Sequence, residues 1–402
     1  MSPMNGPIYI TGAGIVSAIG VGKESTLDSL VAGLSGIRRM KYLSSCHQDI
    51  PVGEVQLSNA EMASMLGIAD DSAFTRTALL GRLALREALD EARLSGDALR
   101  EVPFISATTV GGMDRRELFH DQEKDCDLAH AIIATHNCGT STELIASQFG
   151  DFALLSTIST ACSSATNAII AGADMLRCGL AETVVVGGAE SLSKFHLNGF
   201  NTLMILDRRP CRPFDADRAG LNLGEGAAYL VMETAASANR RGVRPLCSLD
   251  GYGNACDAFH QTASSPNGEG AFLAMTEALQ MAGLEPCDIQ YVNAHGTGTP
   301  NNDLSESVAL QRVFGSEIPF ISSTKSFTGH TTSASGSVEA VICILAMNRQ
   351  FLPPNLNWEI PMEGGIIPVT GSHSPVELRH VMSNAFGFGG NDSSIILSRY
   401  EG

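Results

Sequence analysis

Four short segments of the 402-residue chain carry side chains that could do chemistry together. The first, STISTACSSATNAIIAGADMLRCG (156–179), holds Cys162 where an apolar run gives way to a helix-length run. A thiol at a helix start meets free backbone N–H groups and the positive end of the helix dipole, and both favour the nucleophilic thiolate. Ser163 and Ser164 suit cap positions, and Gly179 suits the stop after the last turn. Ala165, Ala168, Ala171 and Gly172 keep the helix slim enough for deep burial. The pattern is that of a nucleophile elbow with cysteine in place of serine.

Two further segments each place a histidine after an apolar run in a polar, glycine-containing turn: His295 in YVNAHGTGTPNNDLSE (291–306), and His330 in SSTKSFTGHTTSASGSVEA (322–340). A neutral imidazole can donate one N–H to a developing oxyanion or enolate, and two donors share the load. Lys325 stands five residues before His330 in an otherwise uncharged stretch, which predicts burial beside a carboxylate. Glu339 is the first candidate for that partner, with Asp303 and Glu306 as others. The fourth segment, SNAFGFGGNDSSIIL (383–397), reads as a glycine-rich turn before a terminal strand, and its N–H groups could form an oxyanion site.

The elements that must hold these residues alternate. Strand-like runs at 7–14, 153–160, 182–191, 245–253, 290–296, 319–326 and 393–399 are separated by helical stretches such as 75–94 and 271–283. That alternation predicts an α/β fold. The stretch DRRPCRPFDADRAG (207–220) reads as a long surface loop, and a weak composition boundary falls near 238–245. With 44% hydrophobic residues and 17% charged residues, the chain can bury a large core.

Composition excludes several functions. A formal charge of −17 argues against a nucleic-acid surface and against attraction to anionic lipid. No run approaches the length of a membrane span. The start lacks the basic and apolar regions of a signal peptide, so a reducing cytoplasm and free thiols, most of them buried, are expected of the ten cysteines. None forms a CxxC pair, which removes the zinc-ribbon and thioredoxin readings. In GAGIVSAIG (12–20), Ser17 stands where a dinucleotide fingerprint needs its third glycine, so this segment reads as a structural strand and turn.

Together TACSSATNAI, VVVGGAES, RPFDADR, LGEGAA, YVNAHGTGTP, SSTKSFTGH and SNAFGFGG make the chain resemble the β-ketoacyl-[acyl-carrier-protein] synthases, closest to the elongating type II enzymes of bacterial fatty-acid synthesis. The resemblance implies a thiolase-like fold of two similar α/β halves in five αβαβα layers. Residues 1–244 would carry the nucleophile, and 245–402 the two histidines and the Gly-Phe loop. It implies decarboxylative Claisen condensation. Cys162 would carry the acyl chain. His295 and His330 would bind the malonyl thioester, and Lys325, held by Glu339, would tune them. The N–H groups of Cys162 and Phe388 would form the oxyanion hole.

The resemblance also implies that Thr297 and Thr299 hold the phosphopantetheine arm. Phe388 would gate an acyl pocket involving Met113, Phe195 and Phe200. No cofactor would be required. A structural sodium or potassium ion would sit near Asn293, Ala294, Glu339, Ser383 and Asn384. The partners would be an acyl carrier protein, acyl and malonyl thioesters, and a second subunit: a copy of this chain or a chain-length factor. Arg76, Arg115, Arg116, Arg208, Arg209 and Arg212 are the basic candidates for an acidic carrier. The family commonly has Gly-Thr-Asn after the Phe-Gly of its last loop. Here the run is Gly389-Gly390-Asn391-Asp392. The competing expectations are a non-catalytic chain-length partner and a CoA-dependent thiolase-type acyltransferase. Histidine in both positions separates the chain from the initiating synthases, and the lack of a cysteine after Cys343 separates it from the thiolases.

Overall fold

The computed structural model describes residues 6–69, 74–119, 134–371 and 375–401. Its strands are β1 (Ile8–Ser17), β2 (Gly20–Val21), β3 (Ile37–Arg38), β4 (Val52–Gly53), β5 (Pro103–Ala107), β6 (Leu154–Ile158), β7 (Thr183–Glu190), β8 (Gly226–Thr234), β9 (Cys247–Cys256), β10 (Tyr291–Asn293), β11 (Phe320–Ser322), β12 (His380–Gly387) and β13 (Asn391–Arg399). Strands β3 and β4 form a separate ribbon. The others join one sheet in the order β11-β10-β12-β13-β9-β1-β8-β7-β5-β6, with β2 beside β1.

That order contains a duplication. From the N-terminus, β1, β5, β6, β7 and β8 lie side by side as first-fifth-fourth-second-third. Strands β9, β10, β11, β12 and β13 repeat this order, with the same pattern of antiparallel and parallel neighbours. The two sets meet where Ile8, Tyr9 and Ile10 pair antiparallel with Leu249, Ser248 and Cys247.

Five described helices have fourteen residues or more: α1 (Arg76–Ala92), α2 (Ser164–Arg177), α3 (Glu269–Ala282), α4 (Pro300–Phe314) and α5 (Ser335–Arg349). Helix α1 covers the outer face of the first set with Leu79, Leu83 and Ala84. Helices α3 and α4 cover the second with Met275, Ala278 and Leu310. Helices α2 and α5 lie between the two sets, in a core that holds Ile169, Ala173, Val341 and Ile344. The layers are therefore helix, sheet, helix, sheet, helix: the thiolase-like arrangement. Helix α5 is apolar nearly all round and buried nearly all round, as a central helix must be.

The central pair packs closely because of glycine. A Cβ at Gly172 of α2 would overlap Val186 of β7, and one at Gly336 of α5 would overlap the Thr166 hydroxyl on α2. Each central helix follows the third strand of its set, so the connections β6-to-α2 and β11-to-α5 are equivalent positions of the repeat. Cys162 lies in the first connection, Lys325 and His330 in the second.

Candidate active site

After β6 the chain turns at Ala161, which holds φ at +52°, a left-handed value that costs a residue with a Cβ. The strain of the elbow therefore sits one residue before the cysteine. Neither expected cap serves as one: Ser163 makes no side-chain cap bond to the helix. Its hydroxyl instead lies 2.8 Å from both Thr160 O and Asn391 Oδ1, sharing one proton between them, and that of Ser164 donates to Ala161 O (2.6 Å). Asn391 also accepts from Asn167 (2.7 Å), so the Gly-Phe hairpin is tied to the first turn of α2. At the other end, Gly179 at φ +68° closes the helix as its position suggested.

His330 follows Gly329 and is clamped by its backbone, with its N–H on Asn222 O (2.7 Å) and its carbonyl accepting from Gly224 N–H (2.9 Å). Its Nε2 lies 3.0 Å from Cys162 Sγ. His295 follows β10 and stands edge-on to His330, ring centres 5.3 Å apart. Its N–H and that of Gly296 donate to Glu306 on α4 at 2.8 and 2.7 Å. Glu306 thus holds His295, rather than pairing with Lys325. Lys325 is 1% exposed and forms its ion pair with Glu339 of α5, the first expected partner. Asp303 faces Arg218 instead.

The backbone N–H groups of Phe388 and of Cys162 itself both face the sulfur. Cys162, His295, His330, Thr297, Phe200 and Phe388 line one cavity of about 290 Å³. Thr297 and Thr299 bond through their hydroxyls (2.8 Å) on its wall. The Phe388 ring stacks on Phe200 at 5.8 Å and 18°. Of the four residues expected at the acyl pocket, Phe200 and Phe388 line this cavity. Met113 and Phe195 do not, and Phe195 is mostly exposed.

Electrostatics corrects the expectation of a resting thiolate. Burial pushes the Cys162 thiol up to about 11, outweighing the Lys325 charge and the two N–H groups that favour the anion. Burial, then the Lys325 charge, holds each imidazole well below its usual range, with a smaller push from His330 on His295 and from His196 on His330, so both are neutral. Neither Nδ1 has a protein partner, so neither tautomer is pinned. His330 can accept the thiol proton at Nε2 in one step and present an N–H there in another.

Three other expectations change. The stretch 207–220 is not a surface loop throughout: Cys211, Phe214 and Asp215 are buried, and the Phe214 N–H bonds Asp303. Arg76 is withdrawn from any docking surface, since it is buried on Glu225, Val55 O, Leu57 O and Asn59. Among the described cysteines, Cys46, Cys178, Cys256 and Cys287 are exposed, so buried thiols are not the rule; Cys126 lies outside the described residues.

The five residues expected around a monovalent cation can be tested for fit. Asn293 Oδ1 and Glu339 Oε2 are buried oxygens without a partner, the donor type a hard cation takes. Asn384 Oδ1 already accepts from Ser394. The first two residues fit such an ion, and Asn384 Oδ1 would have to share its oxygen with the Ser394 hydroxyl.

Family models describe this architecture. Residues 5–238 match the β-ketoacyl synthase N-terminal domain, and 246–359 match the C-terminal domain. The chain belongs to the β-ketoacyl synthase family, the family of the ketosynthase condensing enzymes. Among individual proteins, it is 31% identical to a 3-oxoacyl-[acyl-carrier-protein] synthase 2 of Vibrio harveyi, over 98% of both chains. It is 29% identical to the Staphylococcus aureus (strain N315) enzyme of the same name, over 99% of both. Among solved structures, the ishigamide ketosynthase/chain length factor matches with TM-score 0.92 at 30% identity, covering 99% of this chain and 100% of that one. A ketosynthase solved with its chain length factor from Xenorhabdus doucetiae matches with TM-score 0.82 at 30% identity, over 98% of both chains. No helix among the described residues is long and apolar enough to cross a membrane.

Proposed function

We propose that this chain condenses an acyl group carried on Cys162 with malonyl-[acyl-carrier-protein] to give a 3-oxoacyl-[acyl-carrier-protein]. The observation that carries the reading is the convergence of Cys162 Sγ, two neutral histidines and the Phe388 N–H at one cavity. As the sulfur attacks the acyl thioester, His330 takes its proton. The carbonyl oxygen collects its charge against the N–H groups of Cys162 and Phe388. The carrier thiolate leaves and receives the proton from His330, restoring the neutral ring. The malonyl thioester then binds with its carbonyl against His295 and His330. Loss of CO₂ leaves an enolate on that oxygen, and its carbon attacks acyl-Cys162. The Cys162 sulfur is expelled and recovers a proton from water.

Thr297 and Thr299 would hold the arm of the carrier, with Lys325 and Glu339 behind the histidines. A sodium or potassium ion at Asn293 and Glu339 would be structural. The partners would be an acidic acyl carrier protein and a second subunit, in the cytoplasm. The resemblance to a ketosynthase solved with its chain length factor supports a specialised, pathway-specific enzyme beside the fatty-acid reading. The unbroken Cys162–His330–His295 cluster favours the catalytic subunit over the non-catalytic partner. The test is product formation from acyl- and malonyl-carrier by mass spectrometry. His295→Ala should slow it by ~10²–10³, the usual cost of losing one such donor. Product without malonyl-carrier, from free CoA thioesters alone, would move the chain to the thiolase-type reading.

A further inference from the structure

Behind the Gly-Phe turn lie two carboxyl groups that the reaction above does not use, Asp392 buried and Asp257 half-buried. Asp392 is the second residue of β13, opposite Phe386 in the hairpin, and its carboxyl faces the Gly387 N–H. Asp257, just past the end of β9, donates its own N–H to Gly390 O (2.7 Å), on the far side of the same turn. The two side chains converge on one position of α3, where a Cβ on Gly270 would overlap both Asp392 Oδ2 and the Asp257 Cβ. Asp257 is anchored: Ser265 donates through N–H and hydroxyl (both 2.6 Å) and Gly270 through N–H (3.0 Å). Among the described residues, Asp392 has no such set of donors and no cation beside it.

We propose that Asp392 is a positioning residue of the condensing reaction: held in its acid form against Asp257, it fixes the Gly387–Gly390 turn that aims the Phe388 N–H at Cys162, and its ionisation releases that turn. Two carboxyl groups this close, with one fully served by donors, leave the other to keep the proton. Burial, then the Asp257 charge, then the Glu306 charge push Asp392 up to about 8. The surroundings offer no relief. From β9 comes Asp257, and from α4 comes Glu306. On α3, Glu269 is engaged by Arg312 and Glu277 by the Asn254 N–H. The hairpin contributes only Phe386, glycines and Asn391 near the carboxyl. With the folded-state value raised, the stabilisation of the turn is full only below the ordinary carboxyl range and declines as pH rises toward about 8. It is lost as pH rises through that value.

The inference rests on the proposed acylation of Cys162, and the test separates the two. The rate of acyl transfer from one acyl-carrier thioester to Cys162 is followed by intact mass between pH 6.5 and 9.5. The wild type is expected to lose rate along a falling limb centred near pH 8. Asp392→Asn, isosteric and without charge, should remove that limb. Asp392→Ala should be slower at every pH. Asp257→Asn should move the midpoint down by about one unit, because a like charge is gone. A wild-type rate that does not fall, or an Asp392→Asn enzyme with the wild-type limb, overturns the proposal. The Asn variant keeps this decision open even if Asp257→Asn does not fold. No acylation at any pH would instead refute the function on which it rests.

Discussion

Lys325 and Glu339 join the two layers of the site, so breaking their pair should show in both stability and chemistry. Both are about 1% exposed, and the ammonium meets the carboxylate directly between the α5 connection and α5 itself. Replacing Lys325 by Met leaves a buried carboxylate without its partner, a change that costs ~3–5 kcal/mol in comparable sites. For a chain of 402 residues that lowers the melting temperature by about 4–6 °C. Replacing both residues, Lys325→Met with Glu339→Met, removes the stranded charge and should recover most of the loss, because a well-packed apolar pair is often as stable as a buried ion pair. The chemistry should not recover. The Lys325 charge lowers both histidines and lowers Cys162 against its burial. Without it all three values rise: the imidazoles protonate more readily and the thiol ionises less readily. The acid limb of Cys162 acylation should therefore move to higher pH in the single and the double variant alike. Thermal melts followed by circular dichroism, with acylation rates from pH 5 to 8, check both parts. A single variant that melts like the wild type, or an acid limb that stays in place, would refute the reasoning.

The raised Cys162 value predicts slow alkylation at neutral pH. Its modification by iodoacetamide, resolved by peptide mass mapping, should keep climbing from pH 8 to 10, nearly tenfold per unit, and a plateau below pH 8 would show a resting thiolate. Gly336→Ala drives a methyl into Thr166 where α5 crosses α2, and should cost ~1–3 kcal/mol in a denaturant titration while separating Cys162 from His330. Gly199→Ala, in a helix with open space around it, should be neutral or slightly stabilising in the same assay.

Much of this architecture was legible in the residue pattern. The runs at 7–14, 182–191 and 393–399 fall on β1, β7 and β13 because buried strands advertise themselves as β-branched apolar runs. The run at 75–94 contains α1 because its apolar residues keep helical spacing and Thr75 caps it. Cys162, His295 and His330 stood out because glycine and hydroxyl residues surround them at strand ends, and the fold brings them together. Two similar halves were implied by the resemblance, but their shared strand order was not legible in the residues, since equivalent strands share topology and no sequence motif. Strand β12 was hidden because its polar Ser383 and Asn384 face a buried polar site, which breaks the apolar pattern.

The thiolate expectation failed because dipole and N–H groups can be read from a helix start, whereas burial depends on α5 and the hairpin closing over it. Arg76 misled for the same reason: a cation in sequence looks exposed until Glu225, 149 positions away, arrives beside it. Asp392 was visible only as a departure from a familiar run. Its meaning came from Asp257 and Gly270, which no local window contains.

The account stands most directly on Cys162 as the atom that receives the acyl group. Intact mass of the protein after incubation with acyl-carrier thioesters of several lengths measures this, with Cys162→Ala as the comparison. The account predicts a stable increase of one acyl mass in the wild type, with none in the variant. A folded wild-type protein that gains no acyl mass from any chain, or a variant that gains the same mass, would contradict it.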